Sequence, residues 1–99
     1  MRPIHIAQLD KPRPVLVLTR ELVRPHLTRV TIAPITATIR NLSTEVAVGP
    51  ANGLDSRCIV SCDNIVTIPA NALGLQIGHL LPAQEAELSA AINAAFDLE

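Results

Sequence analysis

Aromatic side chains are almost absent from this sequence: one phenylalanine, Phe96, and no tryptophan or tyrosine in 99 residues. That removes the usual platform for stacking unpaired bases. It also leaves the core to Val, Ile, Leu and Ala, a composition that suits β-strands with a packed helix. Long apolar runs are missing too. None approaches membrane-spanning length, and no apolar segment at the N-terminus resembles a secretory signal, so the chain reads as a cytoplasmic protein. Cysteine is scarce, with only Cys58 and Cys62. On one strand these would share a face but stand too far apart to bond comfortably, so buried reduced thiols are favoured over a disulfide. Two cysteines and scattered histidines do not make a structural zinc site. Neither a Gly-rich phosphate loop nor an HExxH metal motif occurs.

What is present is a small and rather apolar chain, 48% hydrophobic with a mean hydropathy of +0.34. Its length fits one domain, residues 1–99, with a single modest core. That much apolar content in so few residues predicts a surface hidden against a second copy, hence a homodimer. The net charge of −1 conceals a division along the chain. All eight Lys and Arg lie at or before Arg57, against four acids, while five acids and no base follow. The division suggests a basic face for an anionic partner and a separate acidic face.

Periodicity predicts many short strands and one helix. Strands are expected over residues 4–7, 15–18, 29–33, 44–48, 58–61, 65–68 and 75–80. One helical turn is expected at Glu21-Leu22-Val23, and Pro34 is expected to end or edge the third strand because it has no N–H to donate. Gly49-Pro50-Ala51-Asn52-Gly53 is turn chemistry, and residues 70–73 form another turn. Leu88, Ala91, Ile92, Ala95 and Phe96 recur as one stripe of a helix over about residues 82–96, opened by Pro82 and followed by Glu85 and Glu87. Short strands followed by a helix predict a mainly β, α+β fold, a small curved sheet or barrel with the helix packed on it.

Two polar residues are placed for chemistry on an anion. Arg13-Pro14 opens the run Val15-Leu16-Val17-Leu18, and Ala33-Pro34-Ile35-Thr36 closes the next apolar strand. A planar guanidinium can hold two phosphate oxygens, and a threonine hydroxyl can donate to the same phosphate in its transition state. Proton transfer is less well served, since arginine is a poor base. His5, His26 and His79 offer conventional acid–base groups or merely structural ones; their spacing forces no convergence. Asp63-Asn64 is a turn pair whose acceptor and amide groups are also able to read base edges in unpaired RNA.

Several segments in order resemble the MazF/PemK-type toxin endoribonucleases: Arg13-Pro14-Val15-Leu16-Val17, Val30-Thr31-Ile32-Ala33-Pro34-Ile35-Thr36, Gly53-Leu54, Cys62-Asp63-Asn64-Ile65-Val66-Thr67-Ile68 and Leu73-Gly74-Leu75-Gln76-Ile77-Gly78-His79-Leu80. The resemblance implies an SH3-like small barrel of the MazF/PemK/CcdB-like toxin fold. It implies a homodimeric, metal- and cofactor-free enzyme that cuts single-stranded RNA to 2′,3′-cyclic phosphate and 5′-hydroxyl ends. Arg13 would be the principal catalytic residue and Thr36 its partner, with Lys11, Thr38 and Arg40 contacting RNA and Asp63 and Asn64 reading bases. A cognate antitoxin would block the groove with a partly disordered acidic segment. The chain departs from the family pattern in Arg2-Pro3-Ile4-His5, in a first loop shortened to about Lys11-Pro12, and in Asn64 and Cys58, where Gln and Ser are usual. A second class on the same fold is a non-catalytic toxin that binds a protein such as DNA gyrase. Its Trp-Gly-Ile ending is replaced here by Phe96-Asp97-Leu98-Glu99.

Overall fold

The computed structural model describes residues 2–98. It contains β1 (Pro3–Gln8), β2 (Pro12–Val17), β3 (Arg29–Thr36), β4 (Glu45–Val48), β5 (Cys58–Ser61), β6 (Val66–Pro69), β7 (Leu73–His79) and α1 (Pro82–Ala95). All the strand pairings are antiparallel, in the order β4-β5-β3-β2-β1-β7, with β6 added to β3. The result is a mainly β, curled half-barrel closed by one C-terminal helix.

The uninterrupted apolar run of β2 reflects burial on both faces of the sheet. Val15 and Val17 point into a cluster with Ala7, Val30, Ile32 and Ile68, whereas Leu16 points the other way, with Ile4, Ala33, Ile35 and Val60. This second side carries α1, whose Leu88 and Ala91 are buried and whose Ile92 and Ala95 pack against the cluster. Cys62 is buried in the same cluster, Cys58 packs on it, and both are free thiols.

Three local expectations need correction. Pro34 does not end β3; it lies within it, opposite Val15. On the other edge, β3 pairs with β6 as far as Ile32 and with β5 from Ile35, so a residue lacking an N–H falls where the partner changes. Phe96 is not on the helix stripe. The helix ends at Ala95, Asp97 adopts a left-handed φ of 54°, and Phe96 is 57% exposed. The turn at Glu21-Leu22-Val23 runs on through Pro25 as a 3-10 turn at Arg24–His26, since proline is well suited to a first helical turn.

Two features fix the site. The β1–β2 hairpin is tight, pairing Gln8 with Pro12 and leaving only residues 9–11 at its tip. β3 ends at Thr36 beside Ile59 of β5, so the loop from 37 to 44 leaves the sheet next to the start of β2.

Candidate active site

An open groove of about 610 Å³ lies between the hairpin tip, the end of β3 and the β4–β5 hairpin. Six of the seven candidate residues line it: Arg13, Thr36, Thr38, Arg40, Asp63 and Asn64. Lys11 does not; it sits exposed on the hairpin tip. Arg13 and Thr36 meet because β2 and β3 are antiparallel neighbours, which brings the start of one beside the end of the other.

Arg13 is not a free cation. Its Nε donates to Asp10 Oδ1 at 2.8 Å and its Nη2 to Asp10 Oδ2 at 3.0 Å. The tight hairpin puts Asp10 three residues before Arg13, within reach of the side edge of the guanidinium. The bidentate bond to Arg13 outweighs a little desolvation and holds the Asp10 carboxyl down at about 2. Reciprocally, the hydrogen bond and charge of Asp10 push Arg13 further up. Neither group therefore has the properties of a proton shuttle near neutral pH.

Thr36 Oγ1 accepts the backbone N–H of Thr38 at 3.2 Å. With a lone pair used in this way, its own hydrogen is left to donate into the groove. The loop beyond is pinned by Glu45, whose carboxylate accepts the backbone N–H of Arg40 (3.2 and 3.4 Å) and of Leu42 (3.3 Å). Asp63 accepts the Thr44 hydroxyl at 2.6 Å, and the Asn64 amide donates to Ser61 Oγ at 2.8 Å. The Cys62 thiol is pushed up by burial and then by the neighbouring Asp63, and it faces the core rather than the groove.

The expected separation into a basic and an acidic face does not hold. Asp10, Glu45 and Asp63 line the groove together with Arg13 and Arg40, and Glu85 pairs with Arg2 at 3.1 Å. Each groove carboxylate is already engaged, by a guanidinium, by backbone N–H groups or by a hydroxyl, which softens the anionic contribution. No histidine lines the groove, and His5 Nδ1 is instead 2.9 Å from the Gly74 carbonyl. Among the described residues, no three His, Cys, Asp or Glu side chains are grouped to hold a metal ion. No helix among them is long and apolar enough to cross a membrane.

Asp10 and Glu45 are the groove residues that sequence reasoning missed. Asp10 resembles an ordinary turn residue, although a carboxylate three positions before the arginine was a usable signal. Glu45 looked like the polar half of an alternating strand, and its grip on the preceding loop left no trace in the pattern.

Residues 3–96 match the family described as PemK-like, MazF-like toxin of type II toxin-antitoxin system. Over 99 residues the chain is 66% identical to "Endoribonuclease MazF3" of Mycobacterium tuberculosis, covering 100% of this chain and 96% of that protein. Among solved structures, "Mycobacterium tuberculosis toxin MazF-mt6" superimposes with a TM-score of 0.97 at 65% identity, covering 99% of each chain. A mycobacterial "Endoribonuclease in complex with its cognate antitoxin" superimposes with a TM-score of 0.87 at 28% identity, covering 98% of this chain and 93% of that one.

Proposed function

Because the chain belongs to the family of PemK-like, MazF-like toxins of type II toxin–antitoxin systems, and is a toxin endoribonuclease, we propose that it cuts single-stranded RNA without a metal in the groove around Arg13 and Thr36. The observation that carries this reading is the meeting of a braced guanidinium and a free-hydrogen threonine hydroxyl in one open groove. The substrate phosphate lies between them. The 2′-oxygen of the ribose that carries this phosphate on its 3′-oxygen attacks phosphorus, the P–O5′ bond breaks with the 5′-oxygen as leaving group, and 2′,3′-cyclic phosphate and 5′-hydroxyl ends result.

Asp10 takes one edge of the Arg13 fork, and the Nη1 side meets the negative charge that builds on the phosphate oxygens. Thr36 donates to the same oxygens. The 2′ proton passes to solvent and the 5′-oxygen takes one from solvent, since the Asp10–Arg13 pair is poorly matched to either transfer. Thr38 and Arg40 hold the strand on one side, Asp63 and Asn64 read bases on the other, and Lys11 contacts phosphate from the hairpin tip. The active species is a homodimer in the cytoplasm, and a cognate antitoxin silences it by laying a segment across this groove. The antitoxin complex of the 28% identical mycobacterial endoribonuclease supports that partner. The gyrase-type alternative gains nothing from relatives named as endoribonucleases.

The test is digestion of a mixed single-stranded RNA pool in excess EDTA, with the new 5′ ends sequenced. Arg13-dependent cuts at a recurring motif, bearing cyclic phosphates, are expected. A folded protein that leaves the pool intact, or an Arg13→Ala variant that cuts like wild type, overturns the assignment.

A further inference from the structure

The groove does not stop at Arg13 and Thr36. A second hollow of about 290 Å³ adjoins it, and Leu42, Glu45 and Ile59 line both. The β4–β5 register explains the continuity. Glu45 pairs with Ser61 and Ala47 with Ile59, and alternate residues of a strand share a face. Ser61 and Ile59 therefore share the face that meets the hollow, with Ile59 buried as its floor at 4% exposed, and position 57 continues that face about 13 Å from Ser61. Arg57 stands there, exposed, lines the second hollow, and makes no ion pair among the described residues. Ala47 leaves the floor low. Ile39 and Leu42, 37% and 47% exposed, form an aliphatic wall, and Asn41, with a left-handed φ of 57°, turns the chain between them.

We propose that this second hollow is an RNA subsite that takes a nucleotide flanking the cut and sets part of the sequence preference. The inference rests on the reading that Arg13 and Thr36 mark the cleavage point. Arg57 binds the flanking phosphate, Leu42 and Ile39 pack against the base in place of the missing aromatics, and the Asn41 amide reads its edge. Glu45 positions the subsite. Its carboxylate faces RNA but spends its lone pairs on the Arg40 and Leu42 N–H groups, holding the wall upright. A nucleic-acid strand is favoured over a protein segment because the hollow continues from the groove in which phosphate is bound. It also offers a cation at one end and an apolar wall along its length.

The experiment compares wild type with Arg57→Ala, Arg57→Lys and Leu42→Ala on two probes. A 2′-O-methyl RNA oligomer pool, which lacks the attacking hydroxyl, reports binding; the cleavable single-stranded pool reports cut sites. Arg57→Ala should bind several-fold more weakly, with the slope of log affinity against log salt shallower by about 0.7. Arg57→Lys should restore the slope. Arg57→Ala and Leu42→Ala should still cut but lose discrimination at positions on one side of the cut only. An unchanged slope and cut-site profile in Arg57→Ala overturns the subsite. So does a change of oligomeric state on size exclusion in either alanine variant, which would make the hollow an interface between copies. If Arg13→Ala also cuts like wild type, the underlying cleavage reading has failed, whatever Arg57 does.

Discussion

Asp10 and Arg13 form a bidentate pair across the tip of a tight hairpin, with Nε–Oδ1 at 2.8 Å and Nη2–Oδ2 at 3.0 Å. The carboxylate takes one edge of the guanidinium, and Nη1 makes no hydrogen bond among the described residues. Asp10 thus braces the fork rather than neutralising all of it. Arg13→Ala should lower kcat by about a hundredfold or more, as loss of a transition-state donor does elsewhere. Asp10→Ala should lower kcat by roughly tenfold through lost orientation, while RNA binding holds or tightens because an anion has left the groove. Steady-state kinetics separate the two. An Asp10→Ala enzyme with raised kcat would show that the pair blocks Arg13 instead of positioning it.

The pH profile follows from the same pair. A carboxylate held down at about 2 from its ordinary 3.8 stabilises the fold above the ordinary value, and that contribution disappears only as pH falls through about 2. Arg13 is pushed up, so neither group titrates between pH 5 and 9. With no histidine lining the groove, the cleavage rate should rise with pH across that range without an inflection near 6.5, and His5→Gln and His26→Gln should cut like wild type. A bell with a limb near 6.5 would reassign the proton transfer to an imidazole.

Thr36 tests the hydroxyl itself. Thr36→Val keeps the β-branched shape at the end of β3 but removes the oxygen that accepts the Thr38 N–H and donates to the phosphate. The expected loss is about a hundredfold in kcat with little change in melting temperature. Thr36→Ser should recover most of the activity. Equal activity in the valine variant would leave Thr36 a structural residue.

These candidates could be read in advance for a physical reason. Residues that close buried strands carry a strong local signal, because a polar side chain next to a continuous apolar run has few places to go. The strand ends that bring Arg13 and Thr36 into one groove are legible on that ground, as is the helix from its apolar stripe, whereas the choice of those two residues for a site rests on the family resemblance. Pro34 and Phe96 were misjudged because their roles depend on a change of strand partner and on a left-handed residue beyond the helix, neither of which has a periodicity. Glu45 and the course of the charges are out of reach for a related reason, whereas Asp10, three residues before Arg13, is within it. Hydrogen bonds from side chains to particular neighbours are set by tertiary register, and sign alone does not place a charge on a face.

Asn52 provides the last test, at a position that does not line the groove. It is the one buried polar side chain among the described residues, only 2% exposed. Its Oδ1 accepts the Gly49 N–H at 3.1 Å, and its amide donates to the His79 carbonyl at 3.0 Å and to Gln84 Oε1 at 2.7 Å. Gln84 in turn holds the Leu81 N–H at the start of α1 and the Ala47 carbonyl of β4. One amide therefore ties the turn at Pro50–Asn52 to β7 and the helix. The backbones approach closely here: a Cβ on Gly78 would lie 1.8 Å from the Asn52 carbonyl oxygen, and one on Gly53 2.0 Å from that of Ile77. Asn52→Ala should cost about 2–3 kcal/mol, because buried partners lose their hydrogen bonds, and lower Tm by roughly 10–20 °C. Gly78→Ala should be worse, since backbone must move to admit the methyl group. Asn52→Ala is absent from the groove, so its kcat, measured well below its Tm, should match wild type. Urea melts and kinetics on the same preparation check both halves, and a variant that melts normally would show that the amide network is replaceable by water.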